Sequence, residues 1–192
     1  KTFDREDQKF TIDLQWSERD DLEKSDITEE NFLTDNTLFQ QSRNVEANKT
    51  YLMQSDYLLP IGEDGMFETG VRTTLRTVEN DYKVEQLDSN NEFQVLGDFN
   101  NNFIYQENIY AAYAMFGNKI NQFSYQAGLR AEYSNIGTEL KIGGETNSYE
   151  YLNFFPSAHL TYELDNKDNF QLSYSRRINR PRFRYLLPFS NF

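Results

Sequence analysis

The chain has 192 residues, and its 31 acidic against 19 basic side chains give a net charge of -12. This balance argues against nucleic acid as a partner, because phosphate binding needs a positive surface. The chain contains no cysteine, which excludes disulfide scaffolds, thiolate metal sites and cysteine nucleophiles. Aromatic side chains make up 16% of residues although 26% are charged, a mixture typical of a barrel with an aromatic outer face and a wet interior.

Alternation of apolar and polar side chains with a period of two predicts seven β-strands. In chain order, the side chains assigned to their apolar faces are Phe10, Ile12, Leu14, Trp16; Tyr51, Met53, Tyr57, Leu59; Phe67, Val71, Leu75; Tyr105, Ile109, Ala111, Tyr113, Met115; Phe123, Tyr125, Ala127, Leu129, Ala131, Tyr133; Leu152, Phe154, Ala158, Leu160, Tyr162; and Phe170, Leu172, Tyr174. The clearest strand is Gln122–Tyr133, whose opposite face is polar throughout. Successive side chains of a strand point to opposite sides, so each segment has one apolar and one polar face.

The predicted connections fall into two length classes that alternate along the chain. The short ones carry the Gly, Asn and Asp residues of tight turns and are Ile61–Gly65, Gly117–Asn121 and Asp165–Asn169. The long ones are polar and are Ser17–Asn48, Glu79–Asn102 and Thr138–Tyr149. Bacterial barrels have this asymmetry, with short periplasmic turns and long external loops.

These features predict an all-β fold, an antiparallel up-and-down transmembrane β-barrel in the bacterial outer membrane. Strands such as Phe103–Phe116 and Tyr149–Leu164 exceed the roughly 9–11 residues that a tilted strand needs to cross a bilayer. Bacterial barrels use even strand numbers from about 8 upward, whereas seven are predicted here. We therefore expect residues 1–192 to be part of a single barrel domain whose remaining strands lie outside this chain.

Several segments resemble a known family of outer-membrane proteins. They are NIYAAYAM (Asn108–Met115), YQAGLRAEY (Tyr125–Tyr133), FPSAHL (Phe155–Leu160), QLSYSRRINRPRF (Gln171–Phe183) and DYLLPIGEDGMFETGVRTTLR (Asp56–Arg76). Together they resemble the barrel of TonB-dependent receptors, and most closely the outer membrane protein beta-barrel family found alongside them. The resemblance covers most of Tyr51–Phe189 and implies a barrel of about 22 strands with a plugged lumen.

The resemblance implies uptake of a scarce, bulky ligand, driven from the inner membrane through TonB. The chain itself shows no plug domain and no TonB box, so both are expected partners only if the full-length protein is a transporter. The alternative is a structural or adhesion barrel that binds through its external loops and transports nothing. An enzyme is not expected, because no nucleophile and base motif is present.

Charged residues on the predicted polar faces are the first candidate site. They are Glu68, Arg72, Arg76, Arg130, Glu132, His159 and Glu163. They could line a solute path or hold a plug, or they could form cross-strand ion pairs that keep a wide barrel rigid. His159 is the only histidine, and a single histidine without convergent partners predicts a structural role, so neither a metal nor a cofactor is expected.

A basic cluster near the end of the chain is the second candidate site, formed by Arg176, Arg177, Arg180, Arg182 and Arg184. One interpretation is binding of anionic lipopolysaccharide headgroups, or of an anionic ligand, near the barrel rim. The other is pairing with carboxylates of neighbouring strands. The apolar face would contact outer-membrane lipid, and an aromatic girdle at headgroup level is predicted from Tyr51, Tyr105, Tyr133, Tyr149, Tyr151 and Tyr162.

Overall fold

The computed structural model describes residues 7–31, 36–97, 100–165 and 168–180. Within them the chain forms eight β-strands, namely β1 (Lys9–Asn31), β2 (Asn36–Ile61), β3 (Gly65–Leu87), β4 (Phe93–Val95), β5 (Asn101–Ile120), β6 (Phe123–Leu140), β7 (Glu145–Glu163) and β8 (Asn169–Ser175). None of these residues forms a helix long and apolar enough to cross a membrane. The predicted all-β class is confirmed.

All the strands belong to one antiparallel sheet in the order β1-β2-β3-β5-β6-β7-β8, and the short β4 pairs with the end of β3. Each long strand therefore pairs with the long strands next to it in the chain. The register is continuous over great lengths, and β1 and β2 pair from Lys9 opposite Leu58 to Asn31 opposite Asn36. This is the up-and-down meander that the alternating turns predict.

Tight turns close one end of the sheet, which is called the turn end here. Gly62 (φ 68°) lies between β2 and β3, and Asn121 (φ 55°) lies between β5 and β6. Both residue types tolerate a positive φ at low cost. The predicted turn Gly117–Asn121 is too long, because β5 continues to Ile120 and only Asn121 and Gln122 connect the strands.

The opposite end, called the loop end, differs from the prediction. Most of Ser17–Asn48 is paired strand, and β3 extends to Leu87 before a turn leads into β4. Thr138–Tyr149 reduces to residues 141–144 between β6 and β7. These segments are polar on both sides, so alternation does not reveal them as strands. The predicted long loops are therefore wrong as loops, and most of their residues extend the sheet.

The register places the predicted apolar faces on one side of the sheet, called the outer side, with one exception. Side chains that are at least half exposed there include Ile12, Leu14, Trp16, Met53, Val71, Leu129, Leu152 and Leu172. The other side is called the inner side and carries Gln126, Arg130 and Glu132. On β6 the apolar stretch of the outer side runs from Phe123 to Tyr133, which fits the roughly 9–11 residues of a membrane-crossing strand.

Strand β5 is the exception, and its predicted face is wrong. Tyr113 pairs with Arg130 and Met115 pairs with Gly128, so the side chains assigned to the apolar face lie on the inner side. The outer side of β5 instead carries Tyr110, Ala112, Ala114 and Phe116. Both faces of this strand are largely apolar, so the sequence pattern alone does not distinguish them.

Beyond the apolar stretch, towards the loop end, apolar side chains change sides. Val78, Phe103 and Tyr105 form a buried cluster, with exposed fractions of 0%, 4% and 4%, and Ile136 and Leu140 pack against it. The register places this cluster on the inner side. The predicted girdle is accordingly split: Tyr51, Tyr133 and Tyr162 lie on the outer side, whereas Tyr105, Tyr149 and Tyr151 lie on the inner side.

Two outer-side aromatic pairs remain near the loop end of the apolar stretch. Trp16 pairs with Tyr51, and the rings of Tyr110 and Tyr133 stack with centroids 6.3 Å apart. Tyr110 is absent from the predicted girdle, because the sequence pattern assigns the opposite face of β5 as apolar. Trp and Tyr side chains at such a level are typical of a membrane–water interface.

Candidate functional site

The predicted charged residues of the polar faces lie on the inner side of the sheet. Cross-strand register brings together Glu68, Arg72, Arg76, Arg130, Glu132, His159 and Glu163 on this side. They do not form one cluster, because they are distributed from Glu163 near the turn end to Arg76, which the register places beyond Tyr133. Three local groups can be separated by their contacts.

The first group is centred on Glu132, whose exposed fraction is only 4%. Arg130 Nη2 donates to Glu132 Oε2 at 2.7 Å, and Arg180 Nη2 donates to Glu132 Oε1. Arg180 Nη2 also donates to Ser134 Oγ at 3.2 Å, where Ser134 is fully buried. A buried carboxylate needs such charge-assisted partners to stay ionised. This arrangement therefore joins β6 to a segment that follows β8.

That segment leaves the sheet after Ser175. The N–H of Arg176 still donates to the carbonyl of Pro156 at 3.1 Å, but by Arg180 the chain has moved over the inner side. There Arg180 Nε donates to Tyr151 Oη at 3.3 Å and lies 3.9 Å from Glu107 Oε1. The side chain thus reaches groups on β5, β6 and β7.

The predicted basic cluster is not brought together as one surface. Arg176 and Arg177 are exposed, whereas Arg180 is three-quarters covered on the inner side. Arg182 and Arg184 lie outside the described residues. For Arg180 the geometry is that of the second interpretation, pairing with carboxylates of neighbouring strands.

The second group surrounds Tyr113, whose phenol oxygen lies 2.7 Å from Asp56 Oδ1 and 2.8 Å from Glu68 Oε1. Gln54 Nε2 donates to Asp56 Oδ2 at 2.8 Å. The Tyr113 ring lies over Gly70, since a Cβ there would come within 2.6 Å of Tyr113 Cε1. A glycine opposite a tyrosine is the signal that could have identified this group. The sequence pattern does not predict this group, because it assigns Tyr113 to the other face.

The third group lies towards the turn end. His159 is exposed and its Nε2 lies 3.3 Å from Thr161 Oγ1, and Glu163 accepts from Lys119 Nζ at 2.9 Å. Arg76 belongs to none of these groups. It lies further towards the loop end, where its Nε donates to Asn48 Oδ1 at 3.3 Å. The described residues contain no group of three or more His, Cys, Asp or Glu side chains arranged to hold a metal ion.

A cavity of about 330 Å³ opens on the inner side between the first two groups. Its lining includes Gln54, Arg72, Tyr113, Arg130 and Phe155. Gly128 also borders the cavity, and a Cβ at this position would come within 3.1 Å of Ser157 Oγ. The cavity combines guanidinium groups with aromatic walls, a composition that can hold a small ligand with one charged end and one apolar end.

Comparison with solved structures shows the same fold in a much longer protein. The unliganded ferric citrate transporter FecA matches with a TM-score of 0.57 and 14% sequence identity, over 88% of this chain and 25% of the transporter chain. The chain thus spans about a quarter of the length of that protein. No curated protein matches the sequence. The model of the outer membrane protein beta-barrel family matches residues 1–192, and the chain therefore belongs to this family of the bacterial outer membrane.

Proposed function

We propose that the chain forms part of the wall of an outer-membrane receptor or transporter barrel that takes up a ligand. The outer side contacts lipid and lipopolysaccharide, and the inner side lines the path of the solute. A plug domain and TonB would be partners of the full-length protein. The ligand would pass through the gated lumen without any covalent chemistry.

The observation that carries this proposal is the difference between the two sides of the same strands. The outer side presents exposed Leu129, Phe154 and Leu172, whereas the inner side holds Arg130 and the buried Glu132. A charged side chain at the lipid midplane costs about 2–4 kcal/mol, whereas the lumen of a barrel accepts it. The charged inner side therefore supports a water-accessible or plugged lumen.

The length of the strands supports an external vestibule. The apolar stretch of β2, from Tyr51 to Ile61, covers roughly 36 Å along the strand at about 3.3 Å per residue. With a tilt of about 45°, this corresponds to roughly 25 Å across the membrane. β2 has 26 residues, so more than half of it projects past the Tyr51 level towards the loop end. A ligand that arrives from outside would contact this projecting wall before it reaches the membrane.

Conductance of the full-length protein in a planar lipid bilayer tests the proposal. Urea added to one side should unfold a plug, so we expect low conductance before its addition and large conductance steps afterwards. Labelling of a Gln126→Cys variant with a bulky thiol reagent should then reduce the step size, because Gln126 faces the inner side. The matched Leu129→Cys variant should not respond, because Leu129 faces lipid.

A barrel that conducts neither before nor after urea would contradict transport. That result would favour the alternative, a structural or adhesion barrel that binds through its loop end. Equal loss of conductance after labelling at Gln126 and at Leu129 would contradict the assignment of the two sides.

A further inference from the structure

Carboxylates close to the cavity already have donors on their oxygens. Asp56 accepts from Tyr113 on Oδ1 and from Gln54 on Oδ2, at 2.7 and 2.8 Å. Glu132 accepts from Arg180 on one oxygen and from Arg130 on the other. Both of these carboxylates therefore have donors other than Arg72.

Arg72 borders the cavity and remains without such a partner. Among the described residues, no carboxylate lies within 4.0 Å of its guanidinium and no hydrogen bond to it is formed. Its cross-strand neighbours are Gln54, which donates to Asp56, and Ala111, which offers no polar atom. A guanidinium has five N–H donors in a fork that matches a carboxylate. The half-buried Arg72 therefore brings unused donors to the border of the cavity.

The rest of the cavity determines what else a ligand would carry. Tyr113 and Phe155 are cross-strand partners of Arg130 on its two sides, so aromatic rings flank that side chain on both neighbouring strands. Aromatic walls favour an apolar or aromatic body through burial and ring stacking. A volume of about 330 Å³ is at the small end of ligand sites. It suits a single ring with a short substituent.

We propose that Arg72 is the anion-binding residue of a solute site on the inner wall, which takes a small aromatic carboxylate. The carboxylate accepts from Arg72, and the ring packs over Arg130 against Tyr113 and Phe155. The assignment deepens the proposed function and rests on it, because the solute reaches this site only through an accessible lumen.

Fluorine-19 NMR relaxation of 4-fluorobenzoate with the full-length protein in detergent tests the site. 4-Fluorobenzyl alcohol is the matched neutral probe, since it keeps the ring and removes the carboxylate. We expect at least ten-fold weaker binding of the alcohol to the unchanged protein. Arg72→Gln should weaken 4-fluorobenzoate binding at least ten-fold and leave the alcohol unaffected, and Arg72→Lys should give an intermediate result, because it keeps the charge but loses the fork.

Arg19→Gln is the control variant and should bind both probes unchanged, because Arg19 is exposed and lies outside the cavity lining. Equal binding of the acid and the alcohol would overturn the proposal without any variant having to fold. No binding of 4-fluorobenzoate to the unchanged protein would also overturn it, as expected if a segment of the same protein fills the cavity. Arg72-dependent binding without any conductance would contradict transport and leave the site standing.

Discussion

Leu129→Arg is the substitution that most directly tests the assignment of the outer side. Leu129 lies on β6, four residues from Tyr133, and pairs with Ala114 and Pro156 on the neighbouring strands. Half of its side chain is exposed. In a membrane this exposed part contacts acyl chains, so an arginine there must be transferred into hydrocarbon or reach towards the headgroups.

The expected cost follows from the position in the membrane. An arginine near the midplane of an outer-membrane barrel costs about 2–4 kcal/mol, and one near the interface about 0–1 kcal/mol. Leu129 lies inside the apolar stretch Phe123–Tyr133, so the higher range applies. Since about 1.4 kcal/mol corresponds to a factor of ten, the folding equilibrium should fall roughly 30- to 700-fold.

The free energy of unfolding of the full-length protein in lipid vesicles, measured by guanidinium titration, gives this cost. Gln126→Arg is the control on the same strand, because Gln126 is exposed on the inner side. It should change the free energy of unfolding by less than about 1 kcal/mol, as expected for an exposed site. Equal destabilisation by both substitutions would refute the reasoning, as would a stable Leu129→Arg protein.

Three other predictions concern β5, Arg180 and the turn after β3. Ala114→Cys should resist a membrane-impermeant thiol reagent that labels Met115→Cys, and the reverse order of labelling rates would restore the original assignment of β5. Arg180→Gln leaves the buried Glu132 carboxylate with one fewer cation and should lower the free energy of unfolding by about 3 kcal/mol. The control Arg177→Gln should have little effect, and equal free energies of unfolding for the two variants would contradict the inner-side contacts of Arg180. The amides of Glu92 and Asn90 donate to Asp88 and hold its pKa below 3.8. The contribution of Asp88 to turn stability should thus be complete above pH 3.8 and be lost as pH falls through the lowered pKa. Amide hydrogen exchange of the turn, corrected for intrinsic rates, measures this stability. Exchange that does not depend on pH would contradict the prediction.

Alternation predicted the side of the sheet correctly wherever only one face of a strand is apolar. On β6, Leu129 and Tyr133 are separated by polar Arg130 and Glu132, so the pattern has one solution. On β5, Tyr110 and Ala112 on one face compete with Tyr113 and Met115 on the other. Periodicity cannot decide between two apolar faces, and only pairing with β6 does so.

The extent of the strands could not be predicted beyond the membrane. Where both sides of a sheet meet water, neither face needs to be apolar, so β1 and β2 past Trp16 and Tyr51 read as polar loops. Val78 and Phe103 make the prediction harder still, because their apolar side chains lie on the inner side and break the alternation at the loop end of the apolar stretch.

Individual site residues were predictable, but their partners were not. Glu132 and Arg130 follow from the β6 pattern, two residues apart on one face. The contact of Glu132 with Arg180 depends on the chain leaving the sheet after β8, which nothing in the local sequence indicates. The Tyr113 group depends on the register of β2, β3 and β5. Asp56 and Tyr113 pair with Gly70 from opposite sides, and Glu68 lies two residues before Gly70 on β3.

The meander has a consequence for how such a wall forms and changes. Since each long strand in the described residues pairs with its neighbours along the chain, every hairpin can close through contacts of short sequence separation, which lowers the entropic cost of each step. Removal or duplication of two adjacent strands returns the chain to the same end of the sheet and keeps the remaining pairs in register. The circumference of a wall built in this way can therefore grow or shrink in units of one hairpin.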